Sequence, residues 1–474
     1  MINISIKKCL ILPIIILTII LPAFVYGDSE TKSTHIVILH TNDTHGNLIA
    51  YDKTNQIGGI ARTATLIKQI KNENKENTLV LHAGDEFSRG DEITVCFGGE
   101  ANMLAIEMMG YDAFTPGNGD FYYGVKNLIK QTSLVKIPIL LSNIVYKDTN
   151  QRIFQPYTIK EIEGIKIGIL GLGVIREDHP SSRNIKQLDP IVVAKEIIPE
   201  LRKKSDIIIA LTHIGIGADI LLAQKLPEID IIVGGHTHNK LDKPMTVPRK
   251  NGKGEVVIVQ AGEYTQFLGR LDLYLQKNSS NNYEIVKSEG RLIAIDGKVR
   301  EDETILEFLK QYTNKLSQKI KVFKKDIPKT DTSDSPIGKF LAEAVKVETN
   351  SDISLLDLGS AQSDVKAGDL TLGQVYKIHP WRNQVLIYQL NGDQVRQILS
   401  EKDSFVFGCD YEKSNGRIDE LKINGKEVDM RKTYKVSIDE YLSYSLKSIK
   451  DVPYLETGKT IDDIFLEYLK NNFQ

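Results

Sequence analysis

Between residues 35 and 294, short β-branched runs alternate with amphipathic stretches, and the side chains suited to chemistry stand directly after the runs, not within them. That rhythm restricts the chain to an α/β fold whose strand C-terminal ends carry the site. Residues 36–39, 79–81, 137–141, 206–211 and 229–233 read as strands, and 60–70, 100–109, 192–202 and 216–225 as helices. A hairpin is expected between 157–160 and 165–170, turning at Glu163-Gly164, and strands dominate from 256 to 294. The charged, lysine-rich segment 302–325 has a helical pattern and marks a boundary. Beyond it a smaller α/β unit begins at Pro336, with a helix over 337–347, a strand over 353–356 and a closing helix over 461–469.

Five loops after strands carry candidate ligands. The loop at 40–46 offers Asp43 and His45, that at 83–85 Asp85, that at 115–120 Asn118, that at 211–213 His213, and that at 233–238 His236 and His238. The alternate spacing of Asp43/His45 and of His236/His238 puts each pair on one side of an extended segment. One histidine after a strand is usually a hydrogen-bonded turn residue, but five such loops in chain order point to metal. Two divalent ions need about eight protein ligands when one carboxylate bridges them, so these seven residues fit a dinuclear centre. His35, His40, His179 and His379 read as ordinary surface or strand histidines.

Composition narrows the chemistry further. The three cysteines, Cys9, Cys96 and Cys409, show no metal-ligand spacing, so oxygen and imidazole must make any metal site. Cys96 and Cys409 are expected as separate buried thiols. With 60 basic against 62 acidic side chains the chain lacks the basic surplus a nucleic-acid polymer requires. At the N-terminus, Lys7-Lys8 precede an apolar run over 9–26 broken by Pro13 and Pro22, then Gly27 and charged Asp28. This pattern predicts a secretory signal over 1–27 and an exported protein, periplasmic, secreted or on the cell surface, that meets a membrane only through that segment. A monomer is expected.

The series Asn42-Asp43-Thr44-His45-Gly46, Gly84-Asp85, Gly117-Asn118, Thr212-His213 and Gly234-Gly235-His236-Thr237-His238 resembles the calcineurin-like metallophosphoesterases, specifically the bacterial 5′-nucleotidase family. Gly58-Gly59-Ile60-Ala61-Arg62 and, later in the chain, Ser335-Pro336-Ile337-Gly338 and Lys366-Ala367-Gly368-Asp369-Leu370-Thr371 resemble further stretches of that family. The resemblance covers nearly the whole chain after residue 27. It implies a four-layer αββα catalytic sandwich over 28–300, a linker helix over 301–325, and a smaller α/β substrate-recognition domain over 326–474. It also implies two divalent ions (Mn, Zn, Co or Mg). Asp43, His45, Asp85 and His238 would hold one, and Asp85, Asn118, His213 and His236 the other, with Asp85 bridging. The implied activity is hydrolysis of a nucleotide or related phosphoester by attack of a metal-bound hydroxide on phosphorus.

The chain departs from that family at places that bear on its substrate. The third loop of the family carries a histidine after the asparagine and an aspartate three residues later; here those places are Gly119 and Tyr122. Losing one positioned acid or donor typically slows a reaction about a hundred- to a thousandfold without abolishing it. His82, three residues before Asp85, is a possible replacement or an outer-sphere residue, and Asp120 is given no role. Phosphate-gripping arginines are replaced by Gln362, Asp331 and Ser333, with Arg382 standing where the family has glycine. The aromatic pair that sandwiches the base matches Trp381 and Tyr441. Alternatives are a dinuclear hydrolase for a phosphodiester, nucleotide sugar or sulfur ester, or a metal-bound ligand receptor with little catalysis.

Overall fold

The computed structural model describes Met1 and residues 33–74, 77–88, 90–250, 252 and 254–472. Apart from Met1, the secretory signal expected over 1–27 lies outside the described residues. Among the described residues no helix is long and apolar enough to cross a membrane.

Two sheets face each other. The first runs Tyr283–Ala294, Phe267–Lys277, Thr34–Thr41, Thr78–His82 and Ala113–Phe114; the second Met245–Pro248, Glu255–Val259, Ile231–Val233, Ile207–His213, Ile165–Gly173 and Tyr157–Ile162. Strand Thr34–Thr41 pairs in parallel with Thr78–His82, which continues in parallel to Ala113–Phe114, so their C-terminal ends share one edge. Ile36, Ile38, Leu79 and Leu81 of the first sheet meet Ile167, Ile169, Ile207 and Ile209 of the second in one buried cluster. The alternate residues Val37, Leu39 and Val80 turn the other way, onto helices Ile60–Asn74 and Glu100–Met109. Leu170, Ile208 and Ala210 of the second sheet likewise pack on Pro190–Lys204 and Ile216–Lys225. Period-two alternation in strands buried on both faces thus yields the expected four layers.

The smaller unit is built on a five-stranded sheet in the order Ser404–Phe407, Ile353–Asp357, Thr433–Asp439, Gln384–Asn391, Tyr454–Thr460, with helices Pro336–Glu348, Gly392–Glu401 and Ile461–Asn471 against it. Two expectations change. Residues 137–141 make only isolated bridges, Ile139 to Phe114 and Leu140 to Gln155. Pro138 has no N–H with which to continue a ladder, although its carbonyl accepts from Phe114 N–H. The helix expected over 302–325 stops at Leu316, and Lys319–Phe323, whose Ile320 and Val322 alternate with lysines, is a strand paired with Gly368–Thr371. The helix that remains, Glu303–Leu316, buries Ile305, Leu309, Tyr312 and Leu316 in the core of the first sheet's outer face.

Candidate active site

The structure brings Asp43, His45, Asp85, His213 and His238 together at the shared edge of the two sheets. Their ligand atoms form two groups, Asp43/His45/His238 and Asp43/Asp85/His213, each within 4.8 Å. Nε2 of His45 lies 3.0 Å from Nε2 of His238, and His238 Nε2 is 3.3 Å from Asp43 Oδ1. Asp85 turns Oδ1 to His213 Nε2 at 3.3 Å and Oδ2 to His45 Nε2 at 3.9 Å, so its two oxygens face the two groups. His236, on the exposed rim, sets its ring edge-on to that of His213 at 5.3 Å between centroids. Asn118 has a buried Oδ1 without a hydrogen-bond partner, and so does Nε2 of the fully buried His213.

The far nitrogen of three imidazoles is already taken. His213 Nδ1 donates to the Ala83 carbonyl at 2.6 Å, His238 Nδ1 lies 2.5 Å from Glu263 Oε2, and His45 Nδ1 lies 2.7 Å from Ser88 Oγ. Such outer contacts fix the orientation of each ring and leave Nε2 facing the cluster. Two nitrogens bound to one ion at about 2.1 Å stand about 3.0 to 3.4 Å apart, which is the separation between His45 and His238. Burial holds the His45 and His236 imidazoles below their ordinary pKa, and so neutral. Burial also disfavours charge on His213, but Asp85 and Asp43 overcome it and push that imidazole up to about 10. Burial opposes charge on Asp43 and Asp85 as well; His213 prevails and holds both carboxyls below the usual range.

The backbone is bent to make this cluster. Asp43, His45, Asp85, His236 and His238 all have left-handed φ, between 48° and 81°. Each such residue other than glycine costs about 1 to 2 kcal/mol, a strain that concentrates where function requires it. Gly235 is required by close approach: a Cβ there would fall 2.5 Å from the Ala83 carbonyl and 2.8 Å from His213 Nδ1. Asp120, given no role from sequence, laces the loops together. Its buried carboxylate accepts from the N–H groups of Asp85, Glu86, Phe87 and Gly117 at 2.7 to 2.9 Å. Burial and the neighbouring Asp85 push Asp120 up to about 7. His82 is buried, with Nε2 2.9 Å from Glu86 Oε2 and Nδ1 accepting from Gly84 N–H, the contacts of an outer-sphere residue. At Gly119 the space is filled, since a Cβ there would lie 2.6 Å from Ser88 Cβ.

A cleft of about 250 Å³ lies between the two units, lined by Tyr122, Tyr123, Arg176 and His179 on one side and Asp357, Gly359, Pro380, Trp381, Asn383 and Tyr441 on the other. Both expected aromatics therefore reach one cavity. The Trp381 indole N–H donates to the Gly359 carbonyl at 2.9 Å, and Tyr441 lies in the first turn of the short helix Glu440–Ser445, whose N-cap, Asp439, accepts from its N–H at 3.0 Å. Arg382 supplies no charge here: its guanidinium crosses to the carbonyls of Val95 and Cys96 at the end of helix Glu92–Phe97. His379 is buried against the Ser360 carbonyl. His179 is not an ordinary surface residue, because it lines the cleft with its ring 4.7 Å from that of Tyr122. Its signal was its place just beyond strand Ile165–Gly173, the same kind of place as the ligand loops. Glu263 and Ser88 carried no such signal. Cys96 and Cys409 are separate free thiols, the first buried and the second half-buried.

Paired sheets with carboxylate and imidazole groups converging at their strand ends define a metal-dependent hydrolase scaffold. The calcineurin-like phosphoesterase family matches residues 36–240, and the 5′-nucleotidase, C-terminal domain, matches residues 313–450. A 5′-nucleotidase of Vibrio cholerae is 28% identical over 93% of this chain and 91% of its own length. Two solved structures share the fold: a 5′-nucleotidase precursor from Thermus thermophilus, 23% identical with a TM-score of 0.57 over 92% of this chain and 96% of that one, and a sulfate thiohydrolase from Thermus thermophilus, 19% identical with a TM-score of 0.54 over 92% and 94%. The chain belongs to the calcineurin-like metallophosphoesterases of the 5′-nucleotidase family, and is a hydrolase of phosphoric ester bonds.

Proposed function

We propose that this chain is an exported two-metal phosphohydrolase acting on nucleotides. The observation that carries the reading is Asn118 Oδ1, buried without a hydrogen-bond partner, next to the gathered ligand atoms of Asp43, His45, Asp85, His213 and His238. An unsatisfied buried polar atom costs about 1 to 3 kcal/mol, and a cation would satisfy it. Asp43, His45, Asp85 and His238 are assigned to one ion and Asp85, Asn118, His213 and His236 to the other, with Asp85 shared. When bound, divalent ions would activate water and offset charge on the phosphoryl oxygens. The chain's own residues do the rest: Glu263, Ser88 and the Ala83 carbonyl hold the imidazoles in register, while Trp381 and Tyr441 take the base, each such stack contributing about 1 to 3 kcal/mol. The catalytic unit spans 28–300 and the recognition unit 326–474, joined through 301–325. Export rests on the sequence of residues 1–27.

The test is an assay of the chain from residue 28 onward with manganese, cobalt or zinc, metal content being measured on the same sample. Turnover of nucleoside monophosphates is expected; bound metal without turnover of any phosphoester overturns the proposal. A phosphodiester, nucleotide sugar or sulfur ester is the second reading, favoured by Gly119, where Ser88 fills the space a histidine needs. Faster turnover of one of these than of monoesters would establish it.

A further inference from the structure

Tyr122 stands where the candidate metal centre and the cleft meet. Its ring is half-buried and lines the cavity with Trp381 and Tyr441. Its hydroxyl accepts at 3.0 Å from Nδ2 of Asn118, the residue whose Oδ1 is buried and unpartnered. An amide NH₂ offers no lone pair, so the phenol oxygen is the acceptor there, and its own O–H is left for an acceptor in the cleft that the ring lines.

We propose that Tyr122 is a catalytic residue, donating a hydrogen bond to the leaving oxygen of a phosphoester whose aromatic part lies against Trp381 and Tyr441. The assignment rests on the hydrolase reading above. In the reaction a water oxygen joins phosphorus, the P–O ester bond breaks, and its electron pair goes to the leaving oxygen. A proton from that water ends on the departing alcohol. Tyr122 holds the oxygen as charge grows and keeps its own proton, so nothing on the protein is consumed.

The experiment compares an alkyl ester, a nucleoside 5′-monophosphate, with p-nitrophenyl phosphate, whose leaving group needs little help. Tyr122→Phe removes only the hydroxyl. It is expected to lower kcat on the nucleotide by about a hundredfold, as loss of one positioned donor does, while p-nitrophenyl phosphate falls by less than about threefold and bound metal is unchanged. Equal falls on both esters, loss of metal in Tyr122→Phe, or no fall at all overturns the assignment. If the unmodified protein hydrolyses neither ester, the hydrolase reading itself fails and takes the assignment with it; if it hydrolyses both and the ratio stays fixed, only the role of Tyr122 fails.

Discussion

Asp43, Asp85 and His213 are almost wholly removed from solvent and locked by backbone hydrogen bonds, whereas Tyr441, across the cleft, leaves 41% of its surface exposed. The first region has little freedom. Its loops interlock so closely that Gly235 cannot carry a side chain, and Asp120 holds four backbone N–H groups of two of them. The second is a half-open aromatic slot formed by residues of both units. Where every atom is committed, substitution is costly. Where contact is by stacking, many ring systems are tolerated.

The sharpest test of that contrast is Asp85→Asn. It should lower kcat by about a thousandfold or more and reduce bound metal, because it removes the charge facing both groups. Trp381→Ala should instead leave metal content alone, raise KM for nucleotides by about 10- to 100-fold, and leave a small non-aromatic phosphoester unaffected. Metal loss in Trp381→Ala would erase the distinction. Gly119→His should destabilise the protein by about 1 to 3 kcal/mol through overlap with Ser88, seen as a lower Tm, and Ser88→Gly in the same chain should recover it. A pH-dependent effect concerns Asp439, whose carboxyl burial pushes up to about 7. A folded pKa above the unfolded value means that its stabilising contribution is complete below pH ~4 and is lost as pH rises through 7. The Tm of the unmodified protein should thus fall relative to Asp439→Asn between those values.

The loops that gather Asp43, His45, Asp85, His213 and His238 could be read from sequence because each follows a strand, and strand ends are set by local pattern. The hairpin at Glu163-Gly164 and helix Glu100–Met109 followed from periodicity for the same reason, whereas the arrangement of the strands in two facing sheets was implied only by the family resemblance. Asp120 was opaque: an acid in a loop shows its role only when the N–H groups it collects come from a loop over 30 residues away. Glu263, behind His238, has the same character. Arg382 was legible as a charge but not as a direction, and tertiary packing sends it to the carbonyls of Val95 and Cys96. Segment 302–325 misled because a lysine-rich amphipathic helix and an alternating edge strand adjoin within it.

The left-handed turns at Asp43, His45, Asp85, His236 and His238 bear on ion exchange. Their conformational cost is met when the domain folds, by two hydrophobic sheets that need no ion to cohere. With the ligand atoms already gathered, a chelator should strip the centre without unravelling it, unlike small zinc modules that unfold when emptied. Reloading would then be limited by the release of water from the incoming ion, not by chain rearrangement, so that one apoprotein can be charged in turn with each candidate metal and its preference measured directly.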